Sequence, residues 1–203
     1  MNVVALFSGG KDSVYATHYA QQQGYDVVCL LSVLSKNKES YMFHTPNIER
    51  CPEQAQSMGL KLYELETEGI KEKEVGDLMV MLEALKEMEG IEGVVSGALA
   101  SEYQKTRIER VCYELGLASI APLWHVNPET YINFLINEGF DVRIAGVFAD
   151  GLDKSWIGKK LDEVTLQKLK ELHKKLGIHV GFEGGEAETT VVYGPGFKER
   201  LNF

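Results

Sequence analysis

The chain has 203 residues, of which 44% are hydrophobic and 25% charged, with a formal net charge of −9. That length can bury a good core, either as one domain or as a large domain with a smaller partner. No apolar run approaches the ~20 residues of a membrane helix, and an acidic balance with basic residues interleaved among glutamates argues against a nucleic-acid partner.

The first expected element is a strand, Val3-Val4-Ala5-Leu6-Phe7, whose unbroken apolar run reads as buried on both faces. A working strand from residue 2 argues against a signal peptide. The turn that follows is Ser8-Gly9-Gly10-Lys11-Asp12-Ser13. Its glycines let a ligand approach the main chain, and a Cβ at Gly9 or Gly10 would take the place of a phosphate oxygen. Val14, Tyr15, His18 and Tyr19 fall at helical spacing, so Asp12 and Ser13 lie near a helix N-terminus. Free N–H groups and the positive end of the helix dipole meet an anion there. With a serine on each side and the Lys11 ammonium, the turn is a phosphate cradle. It fits neither the Walker A loop nor the dinucleotide fingerprint.

The helix runs to about Gln23 and stops at Gly24, and Asp26 to Val33 is a second buried strand. Strand, helix, strand implies a parallel sheet with a right-handed crossover. The polar stretch Leu34 to Pro46 is placed to cover a nucleotide, with His44 either a contact from it or a plain surface histidine. Asn47 caps a helix to Met58, Leu60 to Leu65 is a third strand, and Lys71 to Met88 is an amphipathic helix. Gly93 to Ala98 is the fourth strand, with Gly97 in its small-residue end beside the nucleotide. A helix opening at Ser101 and closing at Gly116 brings its first turn to the same sheet edge. Tyr103, Gln104 and Arg107 are therefore candidates to face nucleotide or substrate, Arg107 being equally placed to pair with a glutamate.

A domain boundary is expected near 117–122, dividing the chain into 1–120 and 121–203. Beyond it, Ala121 to Trp124 reads as extended, Asn127 and Pro128 open a helix ending at Gly139, and Val142 to Ala149 is a buried strand. A polar loop holds Trp156, and Asp162 to Leu176 is a helix ended by Gly177. The turn Phe182 to Thr190 follows, with Glu183, Glu186 and Glu188, then a strand Val191 to Tyr193.

The loop Ser8-Gly9-Gly10-Lys11-Asp12-Ser13 resembles the SGGxDS loop of the PP-loop ATP pyrophosphatases. That family holds the pyrophosphate of ATP and cleaves between the α and β phosphates. The resemblance implies an open, mostly parallel α/β sheet of the adenine nucleotide alpha-hydrolase-like kind, with a smaller C-terminal α/β domain. Further stretches narrow it: SGALASEYQKTRIERVCYELGL from Ser96, PLW at Pro122, GLDKSWIGKKL from Gly151 and EGGEAETTVV from Glu183. Together they are similar to the diphthine–ammonia ligase family, over nearly the whole chain. That family converts the diphthine carboxylate of elongation factor two to diphthamide.

What the resemblance implies is an ATP-dependent amidation by ammonium through an acyl-adenylate, releasing AMP and pyrophosphate. ATP is held by Ser8, Gly9, Gly10, Lys11, Asp12, Ser13, His44 and Gly97, with Lys11, Asp12 and Ser13 catalytic. Asp12 is the expected Mg²⁺ ligand, although it also suits a helix cap. Tyr103, Gln104, Arg107, Trp156, Glu183, Glu186 and Glu188 are the expected acceptor contacts, Trp156 as an aromatic wall for a quaternary ammonium. Two other readings stay open: a different carboxylate, as in cobalamin metabolism, or a nucleotide sensor without catalysis. Cys29, Cys51 and Cys112 form no CxxC, which suits a reduced, cytoplasmic protein and speaks against sulfur transfer. No glutaminase nucleophile is evident, so free ammonium is the expected nitrogen donor. Elongation factor two is then the protein partner, no nucleic acid or membrane is involved, and a homo-oligomer is left open.

Overall fold

The computed structural model describes residues 1–37 and 48–203. Its centre is strand β1 (Asn2–Leu6). Val3 and Ala5 face one apolar cluster while Val4 and Leu6 face another, so both sides of this strand must be covered. Helices α1 (Lys11–Gln22) and α2 (Cys51–Met58) contribute to the first cluster. Helices α3 (Lys73–Glu89) and α4 (Glu102–Leu115) close the second.

Strand β2 (Asp26–Ser35) pairs in parallel with one edge of β1, and β4 (Gly93–Val95) with the other. Strand β3 (Lys61–Thr67) lies outside β2 and β5 (Ala118–Ile120) outside β4, so the order is β3-β2-β1-β4-β5. The strand order therefore reverses at β1. In an open α/β sheet the ligand crevice lies beyond the carboxyl ends of the strands at such a point. Here the turns after β1 and β4 occupy it.

Several boundaries differ from those read in the sequence. Ala118 to Ile120 is a fifth strand where a domain boundary was expected, because three residues are too few to show a period. Ala121 to Trp124 is a turn, closed by Trp124 N–H donating to the Ala121 carbonyl. Strand β2 runs on to Ser35 and pairs with Thr67, taking up the start of the expected loop. His44 and the expected Asn47 cap lie outside the described residues.

The rest of the chain forms α5 (Pro128–Asn137), β6 (Asp141–Val147), α6 (Glu163–Leu176) and β7 (Ala187–Tyr193). Strands β6 and β7 make a separate antiparallel pair. Strand β7 begins four residues before the expected Val191, so Glu188 and Thr189 belong to a strand and not to a turn. The first apolar cluster continues without a break from Phe7 and Tyr15 into Tyr131, Leu135, Ile144 and Leu169. The elements after β5 thus share the core on the α1 side of the parallel sheet.

Candidate active site

Helix α1 starts at Lys11, directly after Gly10, so Lys11, Asp12 and Ser13 form its first turn. The N–H groups of a first turn have no partners within the helix. Ser13 Oγ accepts from the Ser8 N–H and the Ser8 hydroxyl, each at 3.1 Å, and donates to the Gly10 carbonyl at 3.2 Å. The two serines that flank the glycines therefore close the loop on itself. Lys11 is only 3% exposed, and its Nζ lies 2.9 Å from Asp12 Oδ2. The Phe182 ring sits 5.8 Å from the same ammonium, and Phe182 adopts a φ of 63°, unusual for a bulky residue.

Strand β7 is tied to this loop. Val191 N–H donates to the Gly9 carbonyl at 3.1 Å, and Lys11 N–H donates to Thr189 Oγ1 at 3.2 Å. Gln54, fully buried on α2, completes the joint: its Nε2 donates to the carbonyls of Gly9 at 2.9 Å and Val191 at 2.8 Å. Sequence reasoning missed Gln54, because one amide in a mixed helix carries no local pattern. The joint adds a demand of its own at the first glycine. Gly9 has φ +73°, and a Cβ there would lie 2.1 Å from Gln54 Oε1. At Gly10 a Cβ would lie 3.4 Å from the Thr189 carbonyl oxygen, at the near edge of ordinary contact.

Beyond the loop opens a cavity of about 250 Å³, several times the ~30 Å³ share of one water. Ser8, Gly10, Lys11, Asp12 and Ser13 line one side, and Gly97 and Gln104 another. Leu6, Leu31, Val33 and Ile108 give an apolar end, while Phe182, Glu188 and Thr189 close the site from β7 and the turn before it. Gly97 meets a steric demand: a Cβ would lie 2.7 Å from the Asp12 carbonyl carbon, where the turn after β4 crosses the helix start.

Two carboxyls near the loop are perturbed. Burial pushes Glu188 up to about 7, with Asp12 adding and Lys11 opposing. Glu183, although an exposed residue, is also pushed up to about 7, by desolvation of its carboxyl and then by the Asp12 charge. Glu186 does not share this environment. Its Oε1 accepts from His179 N–H and its Oε2 from Gly184 N–H, both at 2.8 Å, so it shapes the turn. Sequence reading grouped the three glutamates; the structure separates them.

The remaining expected contacts fall in different places. Gln104 lines the cavity. Tyr103 and Arg107 share Glu72, the Tyr103 hydroxyl at 3.2 Å and Arg107 Nε at 2.9 Å, and neither lines the cavity. Trp156 is 8% exposed within the first apolar cluster, with Lys159 Nζ 4.7 Å from its ring centre. It forms no wall of the cavity, since that burial leaves its ring turned into the core. Phe182 is the aromatic residue that the fold brings to Lys11, and its positive φ was not legible beforehand.

Among the described residues, no three His, Cys, Asp or Glu side chains gather to hold a metal. Asp12 is a single carboxylate in the Ser8–Ser13 loop, and its Oδ1 is buried without a hydrogen-bond partner. One carboxylate of this kind fits Mg²⁺, which takes its other ligands from phosphates and water. No described helix is long and apolar enough to cross a membrane.

Comparison with known proteins assigns the chain. Residues 1–119 match the diphthamide synthase N-terminal domain and residues 127–203 the diphthamide synthase C-terminal domain. The diphthine–ammonia ligase of Homo sapiens is 37% identical over 220 residues, which span 99% of this chain and 82% of that protein. That of Schizosaccharomyces pombe is 33% identical, over 99% of this chain and 36% of its own length. A solved structure described as a predicted subunit of tRNA methyltransferase, from Methanocaldococcus jannaschii, is similar at TM-score 0.52 and 19% identity, with 99% of this chain and 100% of that one covered. That likeness is one of fold alone. The domain matches and the identity over nearly the whole length place this chain in the diphthine–ammonia ligase family, a family of ligases.

Proposed function

We propose that the chain amidates the diphthine carboxylate of elongation factor two with ammonium, at the expense of ATP, in the cytoplasm. The observation that carries this reading is the joint between the Ser8–Ser13 loop and β7. It sets a phosphate cradle and Glu188 on the same cavity.

In this reading a diphthine carboxylate oxygen attacks the α-phosphorus, the bond to the bridging α–β oxygen breaks, and pyrophosphate leaves. The first turn of α1 and the loop amides receive the departing phosphates. Lys11, buried and charged, supplies a positive charge where negative charge develops. Mg²⁺, held through Asp12 and the phosphates, would shield that charge further when bound. The apolar end at Leu6, Leu31, Val33 and Ile108 suits the adenine base.

The acyl-adenylate is then open to nitrogen. Ammonia attacks the acyl carbon, the C–O bond to AMP breaks, and the nitrogen sheds two protons between ammonium and amide. Glu188 and Glu183 have carboxyls near pH 7, suited to accept a proton close to neutrality. Their charge, with the face of Phe182, also suits the quaternary ammonium of diphthine.

The test is isotopic. Parent protein, diphthine-bearing acceptor, ATP and ¹⁵N-ammonium should give an acceptor carrying one ¹⁵N amide by mass spectrometry. An acceptor left unchanged, or labelled only from amide-¹⁵N glutamine, contradicts the reading.

A further inference from the structure

Tyr131 is fully buried on α5, at the heart of the cluster that joins the two parts of the chain. Its ring is held edge-on to Tyr15, with centroids 5.4 Å apart. A phenylalanine would make the same packing. Yet the residue carries a hydroxyl, and that hydroxyl is buried with no hydrogen-bond partner. Native cores seldom keep such a group without a use.

The group it approaches is the carboxylate of Asp12. After burial itself, Asp12 is the largest influence on the Tyr131 phenol, by its charge and by a side-chain contact that stops short of a formed hydrogen bond, and both raise its pKa. Asp12 is also half satisfied: Oδ2 is held by Lys11 Nζ at 2.9 Å, while Oδ1 is buried and unpaired. Asp12 and Tyr15 lie three residues apart on one face of α1, and Tyr15 packs edge-on to Tyr131, so a buried donor and a buried acceptor, each without a partner, stand on the same side of that helix.

The Lys11 contact gives this pairing its use. An ammonium that turns its donors from Asp12 to a phosphate loosens its hold on the carboxylate inside a partly buried site. A buried charge without a partner is costly. We propose that Tyr131 is a positioning residue for Asp12: its hydroxyl donates to Oδ1 when Lys11 turns to the nucleotide's phosphates. Oδ1 is then fixed, and Oδ2 is the oxygen left open to the cavity. The proposal rests on the reading of the cavity as an ATP site.

The experiment is a double-mutant cycle on binding of α,β-methylene-ATP with Mg²⁺, read by calorimetry in the full chain, with melting temperatures measured alongside. Tyr131→Phe should weaken binding roughly tenfold or more, the scale of a lost hydrogen bond to a charged group. It should leave the melting temperature unchanged or raise it, since an unpaired buried hydroxyl is removed. In an Asp12→Ala background the same change should have no effect on affinity. An unchanged affinity for Tyr131→Phe, or an equal loss in both backgrounds, overturns the proposal. Failure of the parent protein to bind the analogue overturns the ATP site and this proposal together. Binding by the parent without any pyrophosphate release on turnover contradicts only the reaction proposed above, and the cycle still decides Tyr131.

Discussion

The Lys11 amide donates to the hydroxyl of Thr189 at 3.2 Å, across 178 residues of sequence. The residue that opens α1 is thereby held by the strand that carries Glu188. Thr189 is itself buried, so replacing it with valine leaves a buried N–H without a partner. Thr189→Val should cost about 1–3 kcal/mol of stability in urea denaturation. It should also weaken ATP binding, while Thr189→Ser, which keeps the hydroxyl, should preserve most of both.

The two glycines of the loop should respond unequally. Gly9 is left-handed and crowded by Gln54, whereas Gly10 has φ −78° and room for a Cβ. Gly9→Ala should cost at least the ~1–2 kcal/mol of a left-handed non-glycine residue, and should disturb nucleotide binding by displacing Gln54. Gly10→Ala should stay near the parent in thermal melts. Equal losses at the two positions would mean that ligand space, and not the joint to β7, selects both glycines.

Gln54 offers a sharper test, because its Nε2 donates to two carbonyls at once. Gln54→Leu should lose about 1–3 kcal/mol. Gln54→Glu is nearly the same shape but sets a carboxylate oxygen against those carbonyls, and should be the less stable of the two. Comparison of denaturation midpoints decides it.

These residues mark what was legible in the sequence. The Ser8–Ser13 loop stood out because its chemistry is contiguous and follows a buried strand. The parallel sheet followed from the alternation of apolar strands with capped helices. The start of β7 did not show, because Glu-Ala-Glu-Thr-Thr after two glycines reads as a turn and becomes a strand only by pairing with β6. Gln54 and Tyr131 were illegible for a related reason. Gln54 reaches Gly9 across 45 residues and Val191 across 137, Tyr131 stands on a different helix from Asp12, and local sequence holds no trace of such pairs. Trp156 shows the converse case: its position was evident, and the direction of its ring was not.

Titration of Glu188 gives a prediction in pH. The folded chain keeps a proton on this carboxyl up to about 7, while the unfolded chain releases it near the ordinary glutamate value of 4.5. Stability from this group is therefore present in full below about 4.5 and lost as pH rises through about 7. Glu188→Gln removes the dependence, so its stability relative to the parent should improve across that window. Carboxyls held low, such as Asp141 and Asp162, change at lower pH and in the opposite sense. The difference between the two proteins, not either curve alone, is the quantity to follow in denaturant melts from pH 4 to 8. A flat difference would show that Glu188 is not perturbed in the folded chain.

The proposed ligase breaks ATP between its α and β phosphates, and the spent nucleotide reports this directly. Purified protein is incubated with ATP, Mg²⁺, ammonium and diphthine-bearing acceptor, and the products are separated by ion-exchange chromatography. The expected result is AMP and pyrophosphate in equal amounts, rising only when acceptor and ammonium are both present. ADP and inorganic phosphate as the main products would contradict the assignment of the Ser8–Ser13 loop and the reaction built on it.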